Sequence, residues 1–178
     1  MSLLSTLAGD LKRHRASQAL RAMPALATYR FGVWCRKQPT PVRQLSGGVY
    51  RAALLASETV SGIYLDSATE VGDDLHLIHA GGINIHPASR IGDRVGLMHG
   101  VTLAADARGA PVLGDDVFIG ADATVYGPVT VGEGASVAAN SLVLTDVPPN
   151  HVAIGVPAKL VPQFGKKKPK AEAAAGAA

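Results

Sequence analysis

Residues 113–143 read LGDDVFIGADATVYGPVTVGEGASVAANSLV, and in this stretch an aliphatic residue recurs at every sixth position. A period of six matches neither the 3.6-residue period of an α-helix nor the alternation of a simple β-strand. A short strand followed by a corner, repeated along the chain, explains it, because each aliphatic residue can then point inward and pack on its equivalents in neighbouring coils. The stretch therefore predicts a solenoid in which three six-residue repeats form one triangular coil.

The same period continues towards the N-terminus in two shifted phases. Fourteen aliphatic anchors fit it, namely Leu65, Val71, Leu77, Ile83, Ile85, Ile91, Leu97, Leu103, Leu113, Ile119, Val125, Val131, Val137 and Val143. The phase slips by two residues at 81–84 and by four residues around 104–112. Loops extruded from a rigid repeat often carry function, so both slips are candidate functional regions.

The composition agrees with stacked strands. The chain is 47% hydrophobic but only 4% aromatic, and its 20 glycines and many β-branched residues favour strands with tight corners over packed helices. An ordinary β-sandwich would need turn signals at intervals of roughly 8–12 residues, which the six-residue repeat does not provide. Residues 1–60 instead predict helices with a break at Pro24, and residues 163–178 form a Lys/Ala-rich tail that we expect to be disordered.

Charge is distributed unevenly along the chain. Residues 1–60 carry nine Lys/Arg and two Asp/Glu, whereas residues 61–165 carry four and eleven. The basic N-terminal segment is either a solvated helix face or a contact for an anionic surface, such as the inner face of a membrane. The single cysteine, Cys35, excludes an internal disulfide and favours a reducing compartment. Because we find neither a long apolar stretch nor a signal peptide, we expect a cytoplasmic protein.

Three short segments point to a family. They are LIHAGGI at 77–83 with the two-residue slip directly after the histidine, VTL at 101–103, and VPP at 147–149 followed by GVPAK at 155–159. With them, the chain resembles the hexapeptide-repeat acyltransferases, and within these the serine acetyltransferase branch, over residues 60–162. The resemblance implies a mainly β fold, a left-handed parallel β-helix over 61–162, with acetyl-CoA as acyl donor. It also implies a homotrimer with sites between subunits, and neither a metal nor a nucleic-acid partner is expected.

The chain also departs from the serine acetyltransferase pattern. Ile78 precedes His79 where that branch has an aspartate, the branch's carboxylate partner falls at Tyr64, and its Arg-His pair falls near 109–110. These departures favour a sugar hydroxyl as acceptor, as in the short acetyltransferases of exopolysaccharide or colanic-acid synthesis. Serine, with a role in cysteine biosynthesis, is the alternative acceptor. More remote alternatives are a γ-carbonic-anhydrase-like metal enzyme and a non-catalytic scaffold.

Acetyl transfer to a hydroxyl needs a base, and a neutral histidine is the usual one. We expect His79 to be that base, because it lies at a slip where a side chain can leave the coil surface. His99 occupies the same position of its hexapeptide one coil later, so it should stack beside His79 and orient the acceptor or donate to the oxyanion. Asp66 is the candidate partner for the second ring nitrogen of His79, with the Tyr64 hydroxyl or a backbone carbonyl as alternatives.

The resemblance also implies where coenzyme A binds. Backbone groups around Gly120, Ala121, Ala139 and Asn140 would contact the pantetheine arm, because small residues allow close approach. Lys159 would meet a phosphate of coenzyme A as a point charge.

Overall fold

The computed structural model describes residues 3–14 and 16–163. Its first part consists of the helices α1 Leu3–Arg13, α2 Ala16–Arg36 and α3 Thr40–Ser61. Helix α3 ends at Gly62, whose left-handed backbone (φ 65°) turns the chain into the first strand. Within the described ranges, the helices are too short or too polar to cross a membrane.

Helix α2 continues through Pro24, so the break predicted there is wrong. Pro24 faces solvent, whereas Ala22, Ala25 and Leu26 beside it are buried. The packing of these neighbours outweighs the roughly 3 kcal/mol that a proline costs inside a helix.

Short strands make up the rest of the described chain. They are β1 Ile63–Leu65, β2 Glu70–Val71, β3 His76–Leu77, β4 Ile83–Ile85, β5 Arg90–Ile91, β6 Gly96–Leu97, β7 Thr102–Ala104, β8 Val112–Leu113, β9 Phe118–Ile119, β10 Thr124–Tyr126, β11 Thr130–Val131, β12 Ser136–Val137, β13 Leu142–Val143, β14 His151–Ile154 and β15 Lys159–Pro162. The strands form three sheets in the orders β1-β4-β7-β10-β13, β2-β5-β8-β11 and β3-β6-β9-β12-β14-β15. Strand pairing is parallel except between β14 and β15. The chain is a left-handed parallel β-helix of about five coils, which confirms the predicted fold class.

The predicted anchors form the core of this solenoid. In register along the three sheets, the stacks are Leu65, Ile85, Leu103, Val125 and Val143; Val71, Ile91, Leu113 and Val131; and Leu77, Leu97, Ile119 and Val137. Every anchor other than Val71 is at most 4% exposed. Burying one such side chain stabilises the fold by about 1.5–3 kcal/mol, so the six-residue period in the sequence reflects this stacked core directly.

The two slips are extruded turns at different corners of the triangle. The first is the turn 78–82 between the third and first sheets, and the second is the turn 105–111 between the first and second sheets. The strand register records both insertions: Leu77 pairs with Leu97, Leu97 with Ile119 and Ile119 with Val137. Both slips predicted from the sequence are therefore loops on the coil surface.

The helices pack against the first coils through buried polar contacts. Asp10 of α1 and Arg30 of α2 form a buried ion pair with an N–O distance of 3.1 Å, and Arg30 also donates to the carbonyl of Gly72. The Tyr29 hydroxyl donates to the carbonyl of Thr69 at 2.8 Å, and burial raises the pKa of Tyr29 to about 12. The helices and the solenoid thus share one core. The tail at 163–178, predicted to be disordered, lies outside the described ranges except for its first residue.

Candidate active site

His79 and His99 lie side by side at one corner of the β-helix. His79 is in the extruded turn 78–82, and His99 follows β6 at the same corner one coil later. Their ring centroids are 5.7 Å apart and the ring planes meet at 67°. His79 is exposed and His99 is half-buried, so both imidazoles are accessible from outside the coil.

The corner that carries the histidines continues through the next two coils. We call it the histidine corner, and it comprises residues 78–82, 98–100, 120–122 and 138–140. Backbone N–H groups tie its levels together: Gly100 donates to Gly81, Asp122 to His99 and Asn140 to Ala121, at 2.9, 3.0 and 2.8 Å. The four residues predicted near the pantetheine arm, Gly120, Ala121, Ala139 and Asn140, therefore lie on the same edge as the two histidines.

The backbone explains why two of those four positions hold glycine and asparagine. A Cβ added to Gly120 would lie 2.6 Å from the backbone nitrogen of Ala139, so only glycine lets the next coil approach this closely. Asn140 has a left-handed backbone (φ 57°), which asparagine tolerates better than most residues. Ala121 is half-buried and Ala139 is exposed, and their short side chains leave the corner open above His99.

Lys159 lies beyond the last level of the histidine corner. The backbone N–H of Gly155 donates to the Ser141 hydroxyl at 3.0 Å, and the N–H of Ala158 donates to the carbonyl of Leu142 at 2.8 Å. These bonds hold the segment before β15 on top of the last coil. Lys159, at the start of β15, is exposed there.

Asp66 is at a different corner from the histidines. It follows β1 at the turn between the first and second sheets. One carboxylate oxygen accepts the N–H of Ala68 at 2.7 Å and the other faces the Tyr50 hydroxyl at 3.5 Å. The carboxylate of Asp66 thus makes local contacts with Ala68 and Tyr50 and does not lie beside His79.

Tyr64, the alternative partner, lies on β1 in the first sheet, one coil below Asn84. It lies two residues after Gly62, where an added Cβ would lie 3.1 Å from Gly81 in the extruded turn. Burial, helped by the carboxylate of Asp66, raises the pKa of the Tyr64 hydroxyl, so it stays protonated and can donate a hydrogen bond.

A second extruded loop, at a different corner from the histidines, and a surface cavity beside Ile78 are further features of the coil surface. In the turn 105–111, Arg108 forms an ion pair with Asp106 at 2.7 Å, and this hydrogen bond lowers the pKa of Asp106. A cavity of about 400 Å³ begins beside Ile78 and runs over Gly96 and Phe118 on the outer face of the third sheet. This cavity thus has one end at Ile78, the residue before His79.

His14 is a residue near the site that the sequence did not single out. Its ring packs edge-on against the ring of His76, with centroids 4.8 Å apart, and its Nε2 atom accepts the N–H of Leu77. No sequence signal points to this contact, because 63 positions separate His14 from Leu77.

The arrangement suits proton transfer at an accessible alcohol. One exposed imidazole can take a proton, while its neighbour can donate a hydrogen bond to the same ligand. Within residues 3–14 and 16–163, no three or more His, Cys, Asp or Glu side chains are grouped so that they could hold a metal ion.

Comparison with known proteins agrees with this architecture. The bacterial transferase hexapeptide family (six repeats) matches residues 110–145. The serine acetyltransferase of Mycobacterium tuberculosis is 31% identical over 170 residues, which cover 90% of this chain and 74% of that enzyme. Serine acetyltransferase 4 of Arabidopsis thaliana is 42% identical over 106 residues, covering 57% of this chain but only 30% of that protein.

Solved structures of serine acetyltransferases are also similar to this chain. A serine acetyltransferase in complex with CoA superimposes with a TM-score of 0.75 and 27% identity, over 90% of this chain and 70% of that one. The expected sugar acceptor, and with it a role in polysaccharide synthesis, is therefore wrong, since these similar proteins are serine acetyltransferases. The departures at Ile78, Tyr64 and 109–110 do not point to a sugar, because substitutions around a site can change how the acceptor is held without changing the acceptor.

Proposed function

Because this chain belongs to the hexapeptide-repeat acyltransferases, in their serine acetyltransferase branch, we propose that it transfers the acetyl group of acetyl-CoA to the hydroxyl of serine. The observation that carries the proposal is the pair of accessible imidazoles, 5.7 Å apart, at one corner of a hexapeptide β-helix. O-acetylserine and free coenzyme A are the products.

His79 acts as the general base in this proposal. Its imidazole takes the proton of the serine hydroxyl while the oxygen attacks the thioester carbonyl. The C–O bond forms, the C–S bond breaks as the tetrahedral intermediate collapses, and His79 returns the proton to the leaving thiolate. His99 donates a hydrogen bond to the developing oxyanion or orients the acceptor, and its half-buried ring beside His79 supports either role.

Coenzyme A lies along the histidine corner. Ala121 and Ala139 leave this edge open, and the exposed Lys159 at its far end can meet a phosphate group. The thioester end then reaches the two histidines. Support comes from the CoA complex of the similar serine acetyltransferase.

The complete site is formed between subunits of a homotrimer. The histidines and the extruded loop 105–111 lie at different corners of one triangular coil, so the loop of one subunit cannot close over its own histidines without leaving its corner. In a closed threefold ring, that loop can face the histidine corner of the neighbouring subunit. The cytoplasmic location and a contact of the basic helices with a membrane remain predictions.

The function is tested by following free thiol from acetyl-CoA with the purified full-length protein. L-Serine should release coenzyme A and sugar acceptors should not. His79→Ala should lower kcat by about 10²- to 10⁴-fold while CoA still binds. The matched control is His86→Ala, since His86 is exposed at the corner of Asp66 and its ring accepts a hydrogen bond from Ala88 in its own turn. Thiol release that is independent of serine, or undiminished in His79→Ala, would contradict the proposal.

A further inference from the structure

A cavity of about 340 Å³ lies between the second and third helices and the first corner of the β-helix. Its walls include Arg36 of α2, Arg43, Tyr50 and Arg51 of α3, and Asp66 at the corner. This corner joins the first and second sheets, so the cavity is on a different edge from the histidine corner. Cavities of about 300 Å³ and more are large enough for small ligands.

The cavity is strongly positive. The side chains of Arg36, Arg43 and Arg51 are exposed, and within the described residues no ion pair or side-chain hydrogen bond engages their guanidinium groups. Asp66 supplies one negative charge, and its oxygens already bond Ala68 and Tyr50. The three arginines and Asp66 together carry two net positive charges, which a ligand with two negative charges would neutralise. Guanidinium groups are well shaped to bind phosphate and carboxylate.

Two adjacent glycines in α3 give an independent reason to expect a ligand. Gly47 and Gly48 lie in the interior of the helix, where each glycine costs roughly 1 kcal/mol relative to alanine. A Cβ at either position would meet nothing within 4 Å, so packing inside this chain does not require glycine there. Gly47 lies one helical turn from both Arg43 and Arg51 and lines the cavity. Its missing side chain leaves room for something to approach the helix between the two arginines.

We propose that this cavity binds a small dianion, such as a phosphate monoester or a dicarboxylate, at a site separate from the acetyl-transfer corner. Arg43 and Arg51 bind the ligand from one face of α3, and Arg36 contacts it from α2. Gly47 lets the ligand approach the helix backbone. Because α2 also packs on the first coils through Tyr29 and Arg30, an occupied cavity would hold the helices on the solenoid more firmly.

The probe is inorganic phosphate, added to the full-length protein at constant ionic strength and about pH 8, where phosphate is mostly a dianion. Phosphate should bind saturably in a calorimetric titration and should raise the melting temperature with the logarithm of its concentration, and malonate should compete with it. Arg43→Ala/Arg51→Ala should weaken phosphate binding by about 10-fold or more, since two charge-assisted contacts are lost. Lys12→Ala/Lys37→Ala removes the same charge from exposed sites outside the cavity and should change the affinity by less than about 2-fold. Equal losses in the two double variants would overturn the proposal, as would an absence of saturable binding.

The glycine pair gives a second, matched test. Gly47→Ala and Gly48→Ala should both raise the melting temperature without phosphate, because alanine favours the helix. Only Gly47→Ala should weaken phosphate binding, by about 10-fold or more, since only its methyl group enters the cavity. If Arg43→Ala/Arg51→Ala does not fold, Arg43→Lys/Arg51→Lys is used in its place. The proposal would be overturned if both Arg43→Lys/Arg51→Lys and Gly47→Ala bound phosphate with the affinity of the wild type.

A last experiment tests whether the cavity binds a free dianion or the phosphate groups of coenzyme A. Titration of CoA into Arg43→Ala/Arg51→Ala should give the wild-type affinity. A loss of CoA affinity equal to the loss of phosphate affinity would mean that the cavity holds the phosphates of coenzyme A, and a separate site would be refuted.

Discussion

The Nε2 atom of His14, the residue directly after α1, accepts a hydrogen bond from the backbone N–H of Leu77 at 3.1 Å, so the end of the first helix is bonded to the strand that precedes His79. The other ring nitrogen, Nδ1, lies 2.6 Å from the carbonyl oxygen of Asp10. A carbonyl can only accept, so Nδ1 carries the proton and the ring is in one defined neutral tautomer. A buried side chain thus connects α1 with the base of the extruded turn.

His14→Ala should lower the free energy of unfolding by about 1–3 kcal/mol. The substitution leaves the buried N–H of Leu77 without its acceptor, and an unsatisfied buried donor carries the full cost of its desolvation. Urea denaturation measures the change. Lys12→Ala, an exposed substitution in the last turn of α1, is the control and should change stability by less than about 0.5 kcal/mol. Equal stabilities of the two variants would show that the His14 bond contributes little.

The stability of the protein should fall with alkaline pH through Tyr29. Burial raises the pKa of this phenol to about 12, from an ordinary value of 10.0. The folded state therefore retains the proton more tightly than the unfolded state. Its contribution is fully present below pH 10 and is lost as the pH rises from 10 to 12, by about 2–3 kcal/mol in total.

Denaturation curves at several pH values in that window test the Tyr29 effect. Tyr29→Phe removes the titrating group together with its bond to Thr69, so it should be less stable at pH 9. Between pH 10 and 12, however, its stability should fall less steeply than that of the wild type. Parallel curves would assign the alkaline loss to other groups.

Gly120 should be required for stability because the next coil packs directly against it. A Cβ at this position would meet the backbone of Ala138 and Ala139 at 2.6–2.9 Å, and a coil backbone cannot move aside locally. Gly120→Ala should therefore destabilise the fold by about 1–3 kcal/mol. Gly96→Ala is the matched control, since its Cβ would meet only side chains, Phe118 at 3.3 Å and Ile78 at 3.6 Å. Thermal unfolding should rank the loss in Gly120→Ala above that in Gly96→Ala, and the reverse order would contradict the packing argument.

The parts of this structure that the sequence predicts are those that repeat. Leu77, Leu97 and Ile119 stack because each occupies the same position of a hexapeptide, and the slips locate the two loops for the same reason. Contacts between the helices and the solenoid have no such period. The bond from His14 to Leu77 and the three arginines around one cavity depend on how α1, α2 and α3 pack, and that packing follows from tertiary contacts that no short motif encodes.

The candidate site shows the same division. The pairing of His79 with His99 follows from register, whereas the prediction of Asp66 as the partner of His79 depends on its nearness to the family's position in the chain. In a triangular coil, a shift of two residues moves a side chain past the end of a strand and around the corner. Asp66 follows β1 at the next corner, where Tyr50 of α3 and its own turn occupy the carboxylate.

Asp66→Asn should therefore leave acetyl transfer nearly unchanged, with a turnover rate within about 2-fold of the wild type. The amide oxygen can still accept the N–H of Ala68, so the turn is retained. The same substitution removes the negative charge from the arginine-lined cavity and should strengthen phosphate binding there by several-fold. Steady-state kinetics with serine and a phosphate titration measure the two effects. A turnover rate lowered by about two orders of magnitude would instead indicate that this carboxylate acts on His79 in the assembled enzyme.

His99→Ala should reduce acetyl transfer without abolishing CoA binding, because the ring lies beside His79 but the residues that we propose to contact the pantetheine arm lie further along the corner. If His99 donates to the oxyanion, kcat should fall by about 10²- to 10³-fold with the KM for serine nearly constant. If it orients the acceptor, the KM for serine should rise and kcat should fall less. His86→Ala again serves as the control for loss of an exposed imidazole, and it should leave both constants unchanged. Kinetic constants in His99→Ala equal to those of the control would mean that the second ring is only a neighbour of the first, and that the donor to the oxyanion is supplied by the backbone or by another subunit.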